Sequence, residues 1–431
     1  MEVVAFGASL DDDDLQYLIR AHPSLADRVT GTPSIVSHVP SSRTWLPLAL
    51  LLLAVGWGAN QFAPLLLVYR DTLDLSDTTR AAAFGIYAAG LVPGLLLGGP
   101  ASDRLGRRRL VGAGALLSAA ASVALAVGSL GVAGLFAGRL LAGVASGIVF
   151  SAGGAWMTEL HRGAPPGTGA RRAAIAMTMG FGGGPLAAGV VAELLPAPDV
   201  LPYVVHLALM AAVIPFARRI PETVAARSPA TPRIRLRVPE PARPAFWLTV
   251  VPMAPWVFAL PTIAFAALPA EIGEVGGLAI VYSGAITAIG AFTGVLVQLA
   301  GRRFGEERGA ALGLALGVVG LGVAMVAVTV AGAVLLVVVS LFLGCAYGLC
   351  LTAGLRLIET LSLPTERGAL TGIYFALTYA GFAAPFLLAA VASETGYPVA
   401  LAGTAALAAL TAVWLLVRAA LRPVGSAATA G

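Results

Sequence analysis

The stretch that decides the fold reads Gly98-Gly99-Pro100-Ala101-Ser102-Asp103-Arg104-Leu105-Gly106-Arg107-Arg108-Arg109. It is a short charged turn between two long apolar runs, residues 81–97 and 110–130. Two helices buried in a water-soluble core do not need an acid, glycines and four arginines at their connection. The stretch therefore indicates two lipid-embedded helices that meet water at a polar turn.

The composition supports the same interpretation. The chain has 431 residues, of which 58% are hydrophobic and 11% charged, and its mean hydropathy is +0.88. Ordinary globular domains carry about a quarter charged residues, so a soluble fold of this chain would lack polar surface. A lipid surrounding removes that requirement, because helices satisfy their own backbone groups. We predict an all-α protein embedded in a lipid bilayer.

Several other classes of protein are disfavoured. The arginines lie between apolar runs rather than along one solvated face, which argues against a nucleic-acid partner. Two cysteines, Cys345 and Cys350, cannot build a disulfide framework. The four histidines are scattered at positions 22, 38, 161 and 206, without metal-ligand spacing. We predict no metal, no cofactor and no enzyme; a membrane-embedded enzyme or a channel is a remote alternative.

Twelve apolar runs approach the length of about twenty residues that a helix needs to cross a bilayer. They span residues 45–69, 80–98, 110–130, 132–157, 173–195, 200–217, 246–269, 276–299, 309–329, 331–355, 369–392 and 397–418. We predict a disordered tail at 1–43, a six-helix bundle at 44–217, a basic linker at 218–245, a second six-helix bundle at 246–418 and a tail at 419–431.

The arginines also set the orientation. They concentrate in the connections after runs two, four, six and eight, whereas the alternate connections carry mainly acids. Positive loops stay in the cytoplasm during insertion. Both termini are therefore predicted to be cytoplasmic, in the cytoplasmic membrane of a bacterium.

The two halves are similar to each other. The segment Gln298-Leu299-Ala300-Gly301-Arg302-Arg303-Phe304-Gly305 repeats the opening stretch weakly, with Gly305 where Gly106 stands, and Glu359 corresponds to Glu159. Internal repeats of this kind are typical of secondary transporters whose substrate site lies between the halves.

Three motifs resemble one family. The pattern G-x-x-x-D-R-x-G-R-R-R at Gly99–Arg109 resembles the loop between helices two and three of major facilitator superfamily transporters. The segment Arg139–Gly147 resembles the R-x-x-x-G-x-x-x-G signature of helix four. The segment Gly180–Gly189 resembles the G-x-x-x-G-P-x-x-G-G element of antiporters, with Ala188 replacing one glycine. The resemblance, closest to twelve-helix drug or metabolite proton antiporters, implies two pseudo-symmetric six-helix bundles and transport by alternating access.

The resemblance also suggests which residues operate the gate. It places Asp103 beside the start of the eleventh helix, where a carboxylate is favoured by free N–H groups, and Arg104 or Arg107 can pair with it or with Glu159. The predicted gating set is Gly99, Asp103, Arg104, Gly106, Arg107, Arg108 and Glu159. The alternative is a positive patch that only sets the topology.

Helix four carries a charge inside the membrane. Arg139 is a candidate for proton coupling, since the matching arginine has that role in drug–proton antiporters of the family; hydrogen bonding to backbone carbonyls is the alternative. The predicted helix-packing residues are Gly143, Gly147, Gly180, Gly184, Pro185 and Gly189, because small residues allow close approach.

The substrate path is expected between the halves. Its candidate residues are Trp57, Asn60, Gln61, Tyr87, Trp256, Tyr282, Tyr347, Tyr374 and Tyr379. The two amides need partners inside the membrane, either a ligand or a neighbouring helix, and each aromatic could equally serve ordinary packing. None of the predicted helices has an acid near its centre, so coupling must use Arg139, His206, Glu193 or the charge of the substrate.

These observations predict a secondary active transporter, a monomer whose partners are a small-molecule substrate, protons and lipid. The leading hypothesis is proton-driven efflux of a hydrophobic or amphiphilic compound. The alternative is uptake or uniport of a sugar or another small metabolite.

Overall fold

The architecture was determined as a computed structural model, which describes residues 44–128, 131–165, 167–224, 238, 240–272, 275–301, 303–361 and 367–421. The predicted tail at 1–43 and residues 225–237 of the predicted linker lie outside the described residues.

The described residues are helices joined by short connections. We label the helical rods α1 (Leu46–Leu73), α2 (Asp77–Leu105), α3 (Arg107–Gly128), α4 (Val132–Glu159), α5 (Thr168–Leu194), α6 (Leu201–Ala217), α7 (Glu240–Ile272), α8 (Ala279–Gly301), α9 (Glu306–Thr329), α10 (Ala333–Leu361), α11 (Arg367–Tyr379, continued by Ala384–Thr395) and α12 (Tyr397–Leu421).

Eleven of these rods are long and apolar enough to cross a membrane, within the described part of the chain. The remaining rod, α6, is apolar but has only 17 residues. An all-helical, multi-pass membrane protein is therefore confirmed, whereas twelve crossings and the cytoplasmic position of the termini stay predictions.

Three rods are interrupted. Helix α1 breaks at Gln61, three residues before Pro64, which cannot donate a backbone hydrogen bond. Helix α7 contains π turns at Phe246–Val250 and Ile263–Ala267, and α11 contains a 3₁₀ turn at Ala380–Ala383. Helix α7 begins at Glu240, inside the predicted linker at 218–245. Pro241 and Pro244 are compatible with this, since proline fits the first turn of a helix.

Successive helices run in opposite directions and define two ends of the molecule. We call the end that carries Gly98–Arg109 the motif face and the other end the opposite face. At the motif face, the Trp45 ring before α1 lies 6.0 Å from the His161 ring after α4. At the opposite face, the hydroxyls of Tyr69 near the end of α1 and Tyr203 near the start of α6 are 2.7 Å apart.

The buried side chains form two hydrophobic cores. One is built from α1–α6, hereafter the N-terminal half, and the other from α7–α12, the C-terminal half. Tyr379 and Phe382 of α11 belong to the first core although they lie in the second half. The predicted bundle boundaries themselves stay predictions.

Glycines bring backbones together at corresponding places in the two halves. A Cβ atom on Gly143 or Gly147 of α4 would press into the carbonyl oxygens of Tyr87 or Leu91 of α2. On α10, a Cβ atom on Gly344 would lie 2.6 Å from the carbonyl oxygen of Gly290 on α8. Close backbone approach is what small residues provide between membrane helices, and it recurs here as an internal repeat.

We expect Gly147→Ala to destabilise the protein by about 1–3 kcal/mol, because the new methyl group meets backbone that cannot move aside alone. The matched control is Gly112→Ala on α3, where a Cβ atom meets nothing within 4 Å and stability should change by less than about 1 kcal/mol. Thermal unfolding in detergent compares them; equal melting temperatures would contradict the close contact.

Candidate functional site

The charged stretch forms the connection between α2 and α3. Gly106 alone separates the two helices and has φ +93°, a conformation that residues with a side chain rarely adopt. A Cβ atom there would lie 2.8 Å from Oε2 of Glu222. The turn therefore requires glycine both for its backbone and for the space beside it.

Arg107 is the centre of this cluster, with only 6% of its surface exposed. Its guanidinium donates to Glu159 on α4, from Nη2 to Oε1 at 2.9 Å and from Nε to Oε2 at 3.3 Å. It also donates to the Ser102 hydroxyl and to the Gly99 carbonyl, and pairs with Asp103. A buried cation with two carboxylates and two further acceptors is well compensated.

The segment after α6 completes the cluster. Oε1 and Oε2 of Glu222 accept from the backbone N–H groups of Arg107 and Arg108 at 2.9 and 3.0 Å, which places a carboxylate at the start of α3. The Thr223 hydroxyl donates to Glu159, and the Trp156 indole donates to the Pro221 carbonyl at 3.1 Å.

Sequence reasoning missed Glu222 and Thr223. Their signal was an isolated acid in the segment Ile220-Pro221-Glu222-Thr223, at the beginning of an otherwise basic linker. No local pattern relates that acid to a turn more than a hundred residues earlier in the chain.

The other predicted gating residues lie at the surface of the motif face. Arg104 and Arg108 are exposed, and 44% of the Asp103 side chain is exposed. Gly99 faces α4, where its Cβ atom would lie 3.0 Å from the Ser151 hydroxyl. Residues 362–366, which precede α11, lie outside the described residues, so the expected contact of Asp103 with that helix stays a prediction.

Arg139 is completely buried inside the N-terminal half. Its guanidinium donates to the carbonyl oxygens of Ala59 on α1 at 2.8 Å and Phe84 on α2 at 3.1 Å. Its central carbon lies over the rings of Tyr87 (4.5 Å), Phe62 (4.7 Å) and Phe84 (5.5 Å). Within the described residues no carboxylate forms an ion pair with Arg139.

Seven rings meet where α2 contacts the C-terminal half; we call them the aromatic cluster. The Phe84 ring stacks on Phe382 of α11, with centroids 5.3 Å apart and planes 2° apart, and contacts Phe265 of α7 at 5.8 Å. Tyr87 contacts Phe382 at 5.7 Å. The remaining members are Phe258, Tyr347 and Tyr379.

The aromatic cluster contains three of the predicted cavity residues, Tyr87, Tyr347 and Tyr379. Its four phenylalanines were missed, since nothing in an apolar run distinguishes a phenylalanine at the interface from one in the core. Arg139 and the cluster share Phe84 and Tyr87, so the buried charge lies directly beside the contact between halves.

The other cavity candidates are held within one half. Trp256 donates to the Thr411 hydroxyl of α12 at 3.3 Å, and Tyr374 donates to the Cys350 carbonyl of α10 at 3.3 Å. Tyr282 donates to the Ala333 carbonyl at the start of α10. Trp57 packs against Gly184, and its indole N–H is buried without a hydrogen-bond partner among the residues that the structure describes.

The two amides of α1 turn toward neighbouring helices. Asn60 donates to the Phe181 carbonyl of α5 at 3.0 Å, and Gln61 donates weakly to the Ser122 hydroxyl of α3 at 3.4 Å. His206 bonds Ser122 through Nδ1 at 2.7 Å and the Ala54 carbonyl through Nε2 at 3.0 Å. A carbonyl only accepts, so Nε2 carries the proton and Nδ1 accepts from Ser122.

Helix α5 has two contact sides. Gly180 and Gly184 face α1, where a Cβ atom on Gly184 would lie 2.7 Å from the Trp57 Cα. Pro185 and Gly189 face α8 of the other half: a Cβ atom on Gly189 would lie 2.6 Å from the Ile280 carbonyl oxygen, and one on Gly284 would lie 2.5 Å from the Pro185 carbonyl oxygen.

A cavity of about 340 Å³ lies between α7 and α11 near the motif face, and none of the predicted cavity residues lines it. No group of His, Cys, Asp and Glu in the described part of the chain could hold a metal ion. The rings of the aromatic cluster and the glycine backbone of α5 and α8 are uncharged contacts between the halves.

The sequence profile of the Major Facilitator Superfamily matches residues 48–308, more than half of the chain. The chain belongs to this family of transporters, as its motifs predicted. No curated protein matches it.

Solved transporters share the fold. The nucleoside transporter NupG aligns with a TM-score of 0.69 and 15% identity, covering 88% of this chain and 100% of the other. A mutant of the peptide transporter POT in complex with sulfate has a TM-score of 0.74 at 16% identity, covering 88% and 94%. The D-xylose–proton symporter has 0.64 at 16% identity, covering 86% and 96%. The antiporter resemblance is not confirmed by these comparisons.

We expect Arg107→Ala to lower stability by about 3 kcal/mol, because it leaves the Glu159 carboxylate and the Ser102 hydroxyl without their cation. Arg108→Ala is the matched control: its side chain is exposed, and stability should change by less than about 0.5 kcal/mol. Thermal unfolding of both purified variants measures the two changes in stability. Similar losses of stability in the two variants would refute Arg107 as the centre of the cluster.

Proposed function

We propose that this protein is a proton-coupled secondary transporter that exports a hydrophobic, planar compound by alternating access. The observation that carries the proposal is the aromatic cluster between the halves. Its members are seven aromatic side chains, and an aromatic substrate can replace ring–ring contacts with contacts of the same kind.

The charge distribution supports the choice of substrate. Arg139 contacts the cluster from inside the N-terminal half. Its guanidinium lies over the rings of two members, Phe84 and Tyr87. A sugar or peptide has more polar groups than the three tyrosine hydroxyls of the cluster can bond, because buried polar groups need partners. A surface made mainly of ring faces favours an apolar, planar compound.

The buried charge supports coupling to protons. Arg139 is held by two carbonyl oxygens and three ring faces on α1 and α2. A change in hydration or charge beside it disturbs the contact of Phe84 with Phe382, which joins the two halves. In this way one charge links the N-terminal half to the interface that opens.

Uptake of a polar metabolite is the second candidate. It is favoured by the similarity in fold to the D-xylose–proton symporter and to the nucleoside transporter. At 16% and 15% sequence identity, these similarities show a shared fold and do not indicate the substrate.

Flux measurements on the purified protein in liposomes test both candidates. Planar aromatic dyes, a pentose, a nucleoside and a dipeptide are each offered with and without a pH gradient. Saturable dye transport driven by the gradient supports the proposal. Gradient-driven transport of a polar compound alone would favour the second candidate, and unsaturable conductance would indicate a pore.

We expect Phe84→Ala and Phe382→Ala each to raise the KM for an aromatic substrate, since each removes a stacking surface at the interface. Their double variant should show a coupling of about 0.5–1.5 kcal/mol in kcat/KM. Phe216→Ala, at an exposed ring on α6, is the control. Unchanged kinetics of both interface variants would exclude the cluster as the substrate contact.

We expect Arg139→Ala to abolish gradient-driven accumulation while allowing downhill exchange. Arg139→Lys, which keeps a charge but loses the planar fork that reaches two carbonyls, should retain part of the coupling. Accumulation ratios at a fixed pH gradient measure both variants. Wild-type accumulation by the alanine variant would remove Arg139 from the coupling mechanism.

A further inference from the structure

A carboxylate joins the two halves at the opposite face. Oε2 of Glu193, near the end of α5, accepts hydrogen bonds from the backbone N–H groups of Ile280 at 2.6 Å and Val281 at 3.2 Å. Glu193 belongs to the N-terminal half, whereas both donors belong to the first turn of α8 in the C-terminal half.

These donors have no partners inside their own helix. The first backbone bond of α8 runs from the N–H group of Tyr282 to the Leu278 carbonyl, so the preceding N–H groups are free to bond elsewhere. A carboxylate at this position gains two charge-assisted hydrogen bonds and a favourable interaction with the helix dipole. A protonated Glu193 would lose the charge that makes both favourable.

Glu193 lies at the outer end of a close backbone contact between the halves. The backbones meet where Gly189 faces the Ile280 carbonyl, and again one turn deeper where Gly284 faces the Pro185 carbonyl. Opening the opposite face requires α5 and α8 to separate here, and both Glu193 hydrogen bonds must then break. The glutamate is only partly buried, so protons from that face can reach it.

The other charged and titratable groups on the neighbouring segments have their own contacts. Arg70 and Asp71 at the end of α1 pair with each other at 2.8 Å, Tyr69 bonds Tyr203, and Tyr282 bonds Ala333. Asp199, before α6, forms no hydrogen bond or ion pair with Glu193 in the described part of the chain, and Glu274 lies outside it.

A second charged group lies on the α2 edge of the same face. Arg80 of α2 pairs with Asp77. Both lie beside Glu271 of α7, and the Glu271 carboxylate accepts a hydrogen bond from the Tyr397 hydroxyl. This group is a separate contact between the halves.

We propose that Glu193 is a proton-operated latch of the opposite face: ionised, it holds α5 against α8, and protonation releases the two halves. Only the ionised carboxylate makes both charge-assisted hydrogen bonds to α8. Lowering the pH at this face therefore shifts the equilibrium toward opening. The inference rests on the proposed transport cycle and names the residue that links proton binding to its outer step.

Distance measurements between spin labels test the latch. Labels are placed at Leu194→Cys and Leu278→Cys, both exposed at the ends of α5 and α8, after Cys345→Ala and Cys350→Ala remove the native thiols. The full-length protein in lipid nanodiscs is measured across a pH series from about 3 to 8, which lies on both sides of the reference pKa of glutamate.

We expect the label distance to lengthen as the pH falls. Glu193→Gln should give the long distance at every pH, with a closed-to-open ratio at least about tenfold lower at neutral pH than in the parent. Glu394→Gln, an exposed acid at the same face, should behave like the parent. Thermal unfolding checks that the variants remain folded.

A pH-dependent distance that persists in Glu193→Gln would overturn the latch, and so would a distance independent of pH in the parent. Flux in liposomes tests the proposed coupling separately. A normal distance response without gradient-driven transport would contradict proton coupling and leave the latch intact. Gradient-driven transport by Glu193→Gln equal to that of the parent would refute the role of the latch in the cycle.

Discussion

Contact between helix backbones is the constraint on which this structure depends. In lipid, apolar side chains gain little by leaving their surroundings, so helices associate through close packing and hydrogen bonds. Glycines provide that packing between α2 and α4, between α8 and α10 and between α1 and α5. They also provide it between α5 and α8, which belong to different halves. The same kind of contact therefore builds each half and joins the two.

The charged groups divide by what compensates them. Arg107 meets carboxylates, a hydroxyl and a carbonyl at the motif face, in a cluster that holds α2, α3, α4 and the segment after α6 in one half. Arg139 meets only carbonyls and rings in the interior, beside the aromatic cluster. The contacts of Arg107 hold several segments of one half rigidly together. Arg139 lies beside the aromatic cluster, so a small displacement of its side chain would change the ring contacts between the halves.

Much of the site could be predicted from the sequence, because its motifs are local. The turn at Gly106 and the packing glycines follow from spacing along one or two helices. The contacts between distant segments are not local. Arg104 or Arg107 was expected to pair with Asp103 or Glu159, but nothing in the motif indicated that Arg107 is the buried arginine. Nor did it indicate that Glu222, in the segment after α6, accepts from the Arg107 backbone N–H group. Three of the seven members of the aromatic cluster were among the predicted cavity residues, because tyrosines stand out in apolar runs.

Taken by itself, the sequence determined that lipid surrounds this protein, that its helices alternate in direction and that its family is the Major Facilitator Superfamily. Hydropathy, charge and glycine spacing are read along the chain, and each constrains a single helix or turn. Only the tertiary structure decided which side chains meet between the halves, Phe84 with Phe382 and Glu193 with the start of α8. Those contacts depend on the rotation and approach of helices far apart in sequence, which packing sets jointly for the whole bundle.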